Sequence, residues 1–324
     1  PQCARMDDDV INPYMNIADL TLDDYKIVLE PWTDTPLRQI FHCGNFGDVI
    51  ASPTFDETIE FQAQHCRKLK IATNGSARKP EWWASLPKRT NNKTHVVFAF
   101  DGLQDTNHIY RIGSNWDIAW ENALAYIGAG GYAEWSFIEF EHNYHQIEEA
   151  RQIANDNGFK QFTVKYTSRF AQQQQTQQVT RKKTVVKAKA NHNNTDYKKV
   201  VKQHKTFENY TKKTDIVCKF QKEYKLFIDM NMKLWPCCWF GAPDYLDPKN
   251  EQWKDFANLR ERYGENFNSL REHGWDVFNH EFFQTYLQQS WEKNPDYPRI
   301  FTCGRTCGNS YEFSSGFGKN IKAL

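Results

Sequence analysis

In the first half of the chain, short apolar runs alternate with segments in which apolar positions return every three or four residues. The runs LRQIFHC (37–43), KLKIAT (68–73), HVVFAF (95–100), AEWSFIEF (133–140) and KQFTVKY (160–166) are rich in Val, Ile, Phe and Thr. Each ends in polar or glycine-bearing sequence, as strands do. Between them, DETIEFQAQHCRK, NWDIAWENALAYI and YHQIEEARQIANDNG carry the helical period. In the last of these Ile147, Ala150, Ile153 and Ala154 share one face, and Gly158 stands where a helix stops. Earlier, TLDDYKIVLEPW offers Thr21 as an N-cap with Asp24 three residues on, and Pro31 as a terminator.

This alternation predicts βαβ units with right-handed crossovers and a parallel sheet. Five strands are visible, and the chain opens on a loop and a helix where a βα unit would open on a strand. A first strand is therefore expected upstream of Pro1, and the chain reads as a fragment.

The texture changes after Phe170. AQQQQTQQVTRKKTVVKAKANHNNTDYKKVVKQHK is Gln-rich and then Lys-rich, with little to bury, which predicts a weakly ordered connector over 171–213. Its basic half is either a solvated linker or a docking strip for nucleic acid or an acidic partner. From Thr214 onward, CKFQKEYKLFIDMNMKLWPCCWFG predicts a hairpin with cysteines at both ends. Helical patterns follow in WKDFANLRERYG and EFFQTYLQQSW, and the chain closes through RIFTCGRTCGNSYEF. Three segments result: an α/β domain over 1–170, the connector, and a Cys-rich domain over 214–324.

Composition narrows the function classes. Hydrophobic residues are 40% and charged residues 25%, ordinary for a globular protein, and a net charge of +1 gives no global field toward nucleic acid or membrane. No apolar stretch approaches the roughly 18 residues of a membrane span, and no secretion signal is present at the start. Eight cysteines in 324 residues are too sparse for a secreted disulfide scaffold. Their clustering toward the C-terminus reads as metal ligation in a reducing, cytoplasmic setting.

Candidate chemistry gathers after the strands. They lead in turn into GNFGD, NGS, DGLQDTNHIYR, EHN and TSR, and in parallel α/β folds ligands collect at those carboxyl ends. Read alone, GNFGD is a turn, and a lone His such as His142 is more often structural than a base. Cys43 and Cys66 read as buried thiols. By themselves Cys218, Cys237, Cys238, Cys303 and Cys307 fit a structural zinc site as well as an iron–sulfur site.

CAR (Cys3 to Arg5), GNFGD, TNG, FDG followed by YR, and FIEFEHN, in that order, resemble the radical S-adenosylmethionine (SAM) superfamily in its SPASM/twitch branch. The resemblance implies a partial (β/α)6 TIM-like barrel missing its first strand, with a small auxiliary-cluster domain. It implies a [4Fe-4S] cluster that reduces SAM to a 5′-deoxyadenosyl radical, a peptide, protein or small-molecule substrate, and a one-electron reductant such as flavodoxin or ferredoxin. Cys3 matches the third ligand of the family's Cys-x-x-x-Cys-x-x-Cys loop, so the other two are expected before Pro1. The chain as it stands is accordingly expected not to cleave SAM. By the same resemblance Gly47, Asp48, Asn74, Asp101, Arg111, Glu139 and His142 face the cofactor, with Arg111 pairing with the SAM carboxylate. Glu141 and Asn143 flank the last two. Cys218, Cys237, Cys303 and Cys307 would hold one auxiliary [4Fe-4S] cluster, with Cys238 facing away. Departures from the family pattern are Gln2, Val49 where Pro is usual, and Met232 where a Gly is usual.

Overall fold

The structure, a computed structural model, describes residues 5–7, 10–165, 176–179, 184–187, 194–245, 247–249, 252–292, 294–309 and 321–322. Cys3 and Gln2 lie outside the described residues. Contacts divide the chain into two compact units, one of 1–10, 29–192 and 316–324, the other of 11–28 and 193–315.

The first unit is built on a parallel sheet. Its strands are β1 (Ile40–His42), β2 (Leu69–Thr73), β3 (Thr94–Ala99), β4 (Tyr132–Ile138) and β5 (Gln161–Lys165), each hydrogen-bonded to the next in sequence order. All five follow the apolar runs of the sequence; β1, β2 and β5 are trimmed within them, while β3 and β4 begin one residue earlier and end short. The connections include helices α2 (Phe55–Gln64), α3 (Pro80–Arg89), α4 (Trp116–Gly128) and α5 (Ile147–Asp156). The helix α3 escapes the pattern because two prolines bracket it, Pro80 in the first turn and Pro87 near its end. The first costs nothing, since the leading N–H groups of a helix have no internal partner.

Alternation along the strands sorts the two faces. Leu69, Ile71, Val96, Phe98, Ala133, Trp135, Phe137, Phe162 and Val164 lie in one core with Phe55 and Ile59 of α2, Trp83 of α3, Ala123 of α4 and Ala150 of α5. The opposite face carries Lys70, His95 and Tyr132 in one rung, Val97, Glu134 and Gln161 in the next, then Ser136 with Thr163, and Lys165 beside Ile138. None of these belongs to the core. A doubly wound sheet needs apolar side chains on both faces, whereas a barrel wall can be apolar outside and polar within. The first unit is thus an α/β fold whose five parallel strands form part of a barrel-like wall.

In the second unit, α1 (Leu22–Leu29) begins as the sequence predicts. Asp24 N donates to Thr21 Oγ1 at 3.2 Å, and Asp24 Oδ2 accepts from Thr21 N at 2.9 Å, a reciprocal cap. Residues 194–213, expected as connector, instead form α6 (Asn194–His204) and α7 (Phe207–Lys213). Val200, Phe207 and Tyr210 pack together there and supply the burial that composition alone did not promise. The hairpin is real but short, pairing β6 (Phe227–Ile228) with β7 (Leu234–Trp235). It is followed by α8 (Trp253–Tyr263), one of the expected helices, and by α9 (Phe301–Cys307) near the end. Buried Asp229 accepts from Asn231 N, Lys233 N, Trp235 Nε1 and Tyr245 Oη, and so fixes the turn. Back in the first unit, β8 (Ile321–Lys322) pairs antiparallel with β5. Among the described residues no helix is long and apolar enough to cross a membrane.

Asp24 also accepts Arg271 Nε and Nη2 at 2.8 and 2.9 Å, and the Arg271 bonds hold its carboxyl below the usual 3.8. A depressed folded value means that the stabilisation is complete above the ordinary value and fades as pH falls through the lower one. The substitution Asp24→Asn should cost about 2 kcal/mol at pH 7. Chemical denaturation should find that the difference from wild type shrinks steadily once the pH drops below the ordinary carboxylate range.

Candidate functional site

The carboxyl ends of the strands bring together most of the polar residues singled out in the first unit. After β1, Asp48 caps a short 3-10 turn, its Oδ1 accepting Ile50 N at 3.1 Å. Its Oδ2 accepts Thr73 Oγ1 at 2.6 Å and Asn74 N at 3.1 Å, which ties the loop after β1 to the end of β2. Burial raises the Asp48 carboxyl, opposed by these bonds and by the Arg111 charge. The side chain of Asn74 is turned inward on its own loop, accepting Ser76 N at 2.8 Å. Gly47 has φ +155°, and a Cβ there would stand 3.1 Å from Arg5 Nη1, so the segment just after Cys3 runs beside this loop.

Asp101 is the hub of the site. It is fully buried at the end of β3; Oδ2 accepts Arg111 Nε at 2.5 Å and Oδ1 accepts Ile138 N at 2.7 Å. One carboxylate therefore anchors a guanidinium and joins the ends of β3 and β4. Two neighbours complete the frame. Asn107 Oδ1 accepts Asp101 N at 2.8 Å, and Asn143 Nδ2 donates to Asp101 O at 2.8 Å and Ile138 O at 2.9 Å. Gly102 has φ +145°, and a Cβ on it would collide with Thr106 Oγ1 and lie 2.8 Å from Asn107 N. Only glycine fits there.

The residues after β4 divide. Glu139 is buried and its N–H extends the ladder to Lys165 O at 2.9 Å. Asn143, one of the four residues after this strand of which at least one was expected to face the cavity, spends its side chain on backbone groups. Glu141 is exposed. His142 stacks on Phe140, and burial with the His108 and His145 charges pushes it down to about 4. The charges it senses are those of other histidines, not the Asp48–Asp101–Arg111 group. Lys165, which sequence reasoning missed, closes β5 on the polar face of the sheet. The run KQFTVKY does place it two residues from Thr163, the signal that could have found it.

The second unit gathers its cysteines from three separate places. Cys218 heads the turn Lys219–Lys222, its Sγ accepting Gln221 N at 3.4 Å. Cys237 follows the hairpin, in extended backbone just before the turn Cys238–Gly241. Cys303 and Cys307 are one turn apart on α9. Segment 214–218 is clamped to the end of α9: Val217 N donates to Cys307 O, Asn309 N donates to Asp215 O, and Ile216 bridges Gly308. At its start, α9 is held by buried Asp255, which accepts Phe301 N and Thr302 N at 3.0 Å each. Its middle rests against α7, where a Cβ on Gly304 would run into Thr211 O.

These clamps set the Cys218 segment beside the Cys307 end of α9. Cys218 and Cys307 share a hydrogen bond, which lowers the first to about 6 and raises the second. Burial pushes Cys237 up to about 12 and Cys303 well above its ordinary value; both also feel Cys218, and Cys303 feels Cys237. The charge of the neighbouring Cys238 also acts on Cys237. Among the described residues no group of three or more His, Cys, Asp or Glu side chains is drawn together to hold a metal ion. The four thiols meet as an electrostatically linked set rather than as a closed shell. A cavity of about 570 Å³ lies beside Cys218, lined also by Asp215, Gln221, Gln288, Trp291 and Glu292 among others. Cys66 is buried and Cys43 half-buried, with both thiols raised by burial, in keeping with thiols of the core.

No family model matches the chain, and no curated protein matches it. Among solved structures it is similar to Streptococcus suis SuiB. The structure of SuiB bound to S-adenosylmethionine aligns with a TM-score of 0.43 and 19% identity, over 68% of this chain and 54% of that one. SuiB bound to its precursor peptide SuiA aligns with a TM-score of 0.46 and 17% identity, over 74% and 57%. The chain spans little more than half the length of the SuiB chains it matches.

Replacing Gly102 by Ala should lower stability by about 2 kcal/mol or more, since the backbone must leave a conformation closed to a side chain and Thr106 must move. Thermal unfolding would detect the loss. A Gly113→Ala change at a positive-φ glycine with open space around it should cost less.

Proposed function

We propose that the chain is part of a radical SAM enzyme with one auxiliary iron–sulfur cluster, acting on a peptide or another sizeable substrate in the cytoplasm. The observation that supports this reading is that Cys218, Cys237 and the Cys303–Cys307 pair, drawn from three separate stretches of sequence, sense one another electrostatically in the second unit, which is the donor type a four-thiolate cluster would need. The donor chemistry fits: four sulfurs in the second unit, of which Cys218 lines a cavity. These cysteines would hold the auxiliary cluster, and Cys3 would be one ligand of the cluster that engages SAM. When bound, that second cluster supplies the electron that splits SAM into methionine and a 5′-deoxyadenosyl radical.

The residues of the first unit support the same reading. Asp101 grips Arg111 through Nε alone, which leaves the outer guanidinium nitrogens to take a carboxylate such as that of SAM. At Gly47 the missing side chain lets a ligand's amino group come close to the backbone. Asp48 and Asn74 are committed to holding the two loops in register, so they act as positioning residues. His142 is spent on a ring stack. The peptide substrate rests on resemblance to a branch rich in peptide modifiers, and the reductant on the chemistry's need for single electrons.

Anaerobic reconstitution of the purified chain with iron and sulfide tests the cluster. We expect about four irons and four sulfides per chain and a brown absorbance near about 400 nm, lost in Cys303→Ala. Zinc as the sole metal, without the chromophore, would overturn the enzyme reading in favour of a non-catalytic metal-binding α/β protein.

A further inference from the structure

We propose that Lys165 is a carboxylate-binding residue on the polar wall of the sheet, and that it takes an acidic group of the substrate. This rests on the reading above for what the substrate is, but its support is separate. Lys165 ends β5 and shares the polar face with Thr163, Ser136 and Glu134. It lies at the carboxyl end of its strand, the edge at which Asp48, Asp101 and Arg111 also gather.

Among the described residues its ammonium makes no ion pair or hydrogen bond with a carboxylate. The carboxylates whose charges reach it are Asp101 and Glu134, and neither makes a hydrogen bond to it. Asp101 already holds Arg111 Nε and Ile138 N, while Glu134 Oε2 takes Lys70 Nζ at 2.7 Å. Two further cations, Lys70 and Arg111, act on Lys165 and push against its positive charge. A half-buried ammonium with three donors, surrounded by carboxylates that are spoken for and cations that repel it, is short of one negative charge. A ligand carboxylate supplies one charge and two acceptors. A phosphate would call for more donors than this wall offers beside a single free ammonium.

Arg111 and Lys165 then divide the work, one carboxylate each, so the source of the carboxylate at Lys165 has to be established. Two probes that differ by that group alone do so: acetyl-glutamic acid α-amide and acetyl-glutamine α-amide, each titrated into the full chain and followed by ligand-observed NMR. S-adenosylmethionine is titrated in parallel. We expect the glutamate probe to bind about tenfold or more tightly than the glutamine probe, a preference that Lys165→Met abolishes and Lys165→Arg keeps. Affinity for SAM should change less than about twofold in Lys165→Met. Equal binding of the two probes by wild type overturns the proposal whatever the variants do. A tenfold loss of SAM affinity in Lys165→Met would assign the carboxylate to SAM and overturn the substrate reading. Because the glutamate and glutamine titrations need no iron, a failed reconstitution and a failed Lys165 site are distinguishable.

Discussion

A five-stranded parallel sheet that is sealed on one face and polar on the other sets the terms for everything in the first unit. Trp135, Phe98, Phe162 and their neighbours bury one face under α2 to α5. That burial holds the strands in register, and register in turn fixes which side every other residue faces. A one-residue slip in β4 would put Glu134 among the aromatic rings and Trp135 on the polar wall. The greasy face therefore determines the position of the chemistry on the opposite one, although no residue of the core takes part in it.

At the strand ends the same logic passes from apolar contact to hydrogen bonds. Asp101 receives a backbone N–H from β4 and a guanidinium from the loop after β3, while Asp48 receives a hydroxyl and an N–H from the end of β2. Each carboxylate thus spans two loops that are distant in sequence. Loops are ordinarily the mobile part of an α/β fold, and these are held by buried charge. Arg111 is the beneficiary: a long side chain whose direction is set by one short bond.

Legibility in the sequence follows the range of the forces involved. The strands could be read because their alternation and turn signals are local. So could the cap of α1, where Thr21 and Asp24 lie three residues apart. The helices α6 and α7 could not, since their Gln- and Lys-rich surroundings hide a small cluster of Val200, Phe207 and Tyr210. Among the candidate residues, Asp48, Asp101 and Arg111 are linked by hydrogen bond and charge at the strand ends, whereas Asn74 caps its own loop and His142 stacks on Phe140. Their spacing looked identical; only tertiary packing separates a residue that folds back on its own turn from one that faces the strand ends. Met232 is instructive. It has φ +62°, the conformation a glycine takes freely, yet its side chain is fully buried. Packing there offsets a backbone cost of roughly 1 kcal/mol, which explains how the chain departs from the expected glycine and keeps the hairpin.

The clamps around α9 have a further consequence. Asp255 secures its start, Gly304 seats its middle on α7, and the Val217 and Asn309 bonds secure its end, none of them through sulfur. Small metal domains commonly collapse when stripped, because the guest is what organises the host. In this unit the host is organised beforehand by oxygen and nitrogen contacts. Any metal that the cysteines of this unit took up would then leave the walls standing on its removal, its occupancy separate from folding.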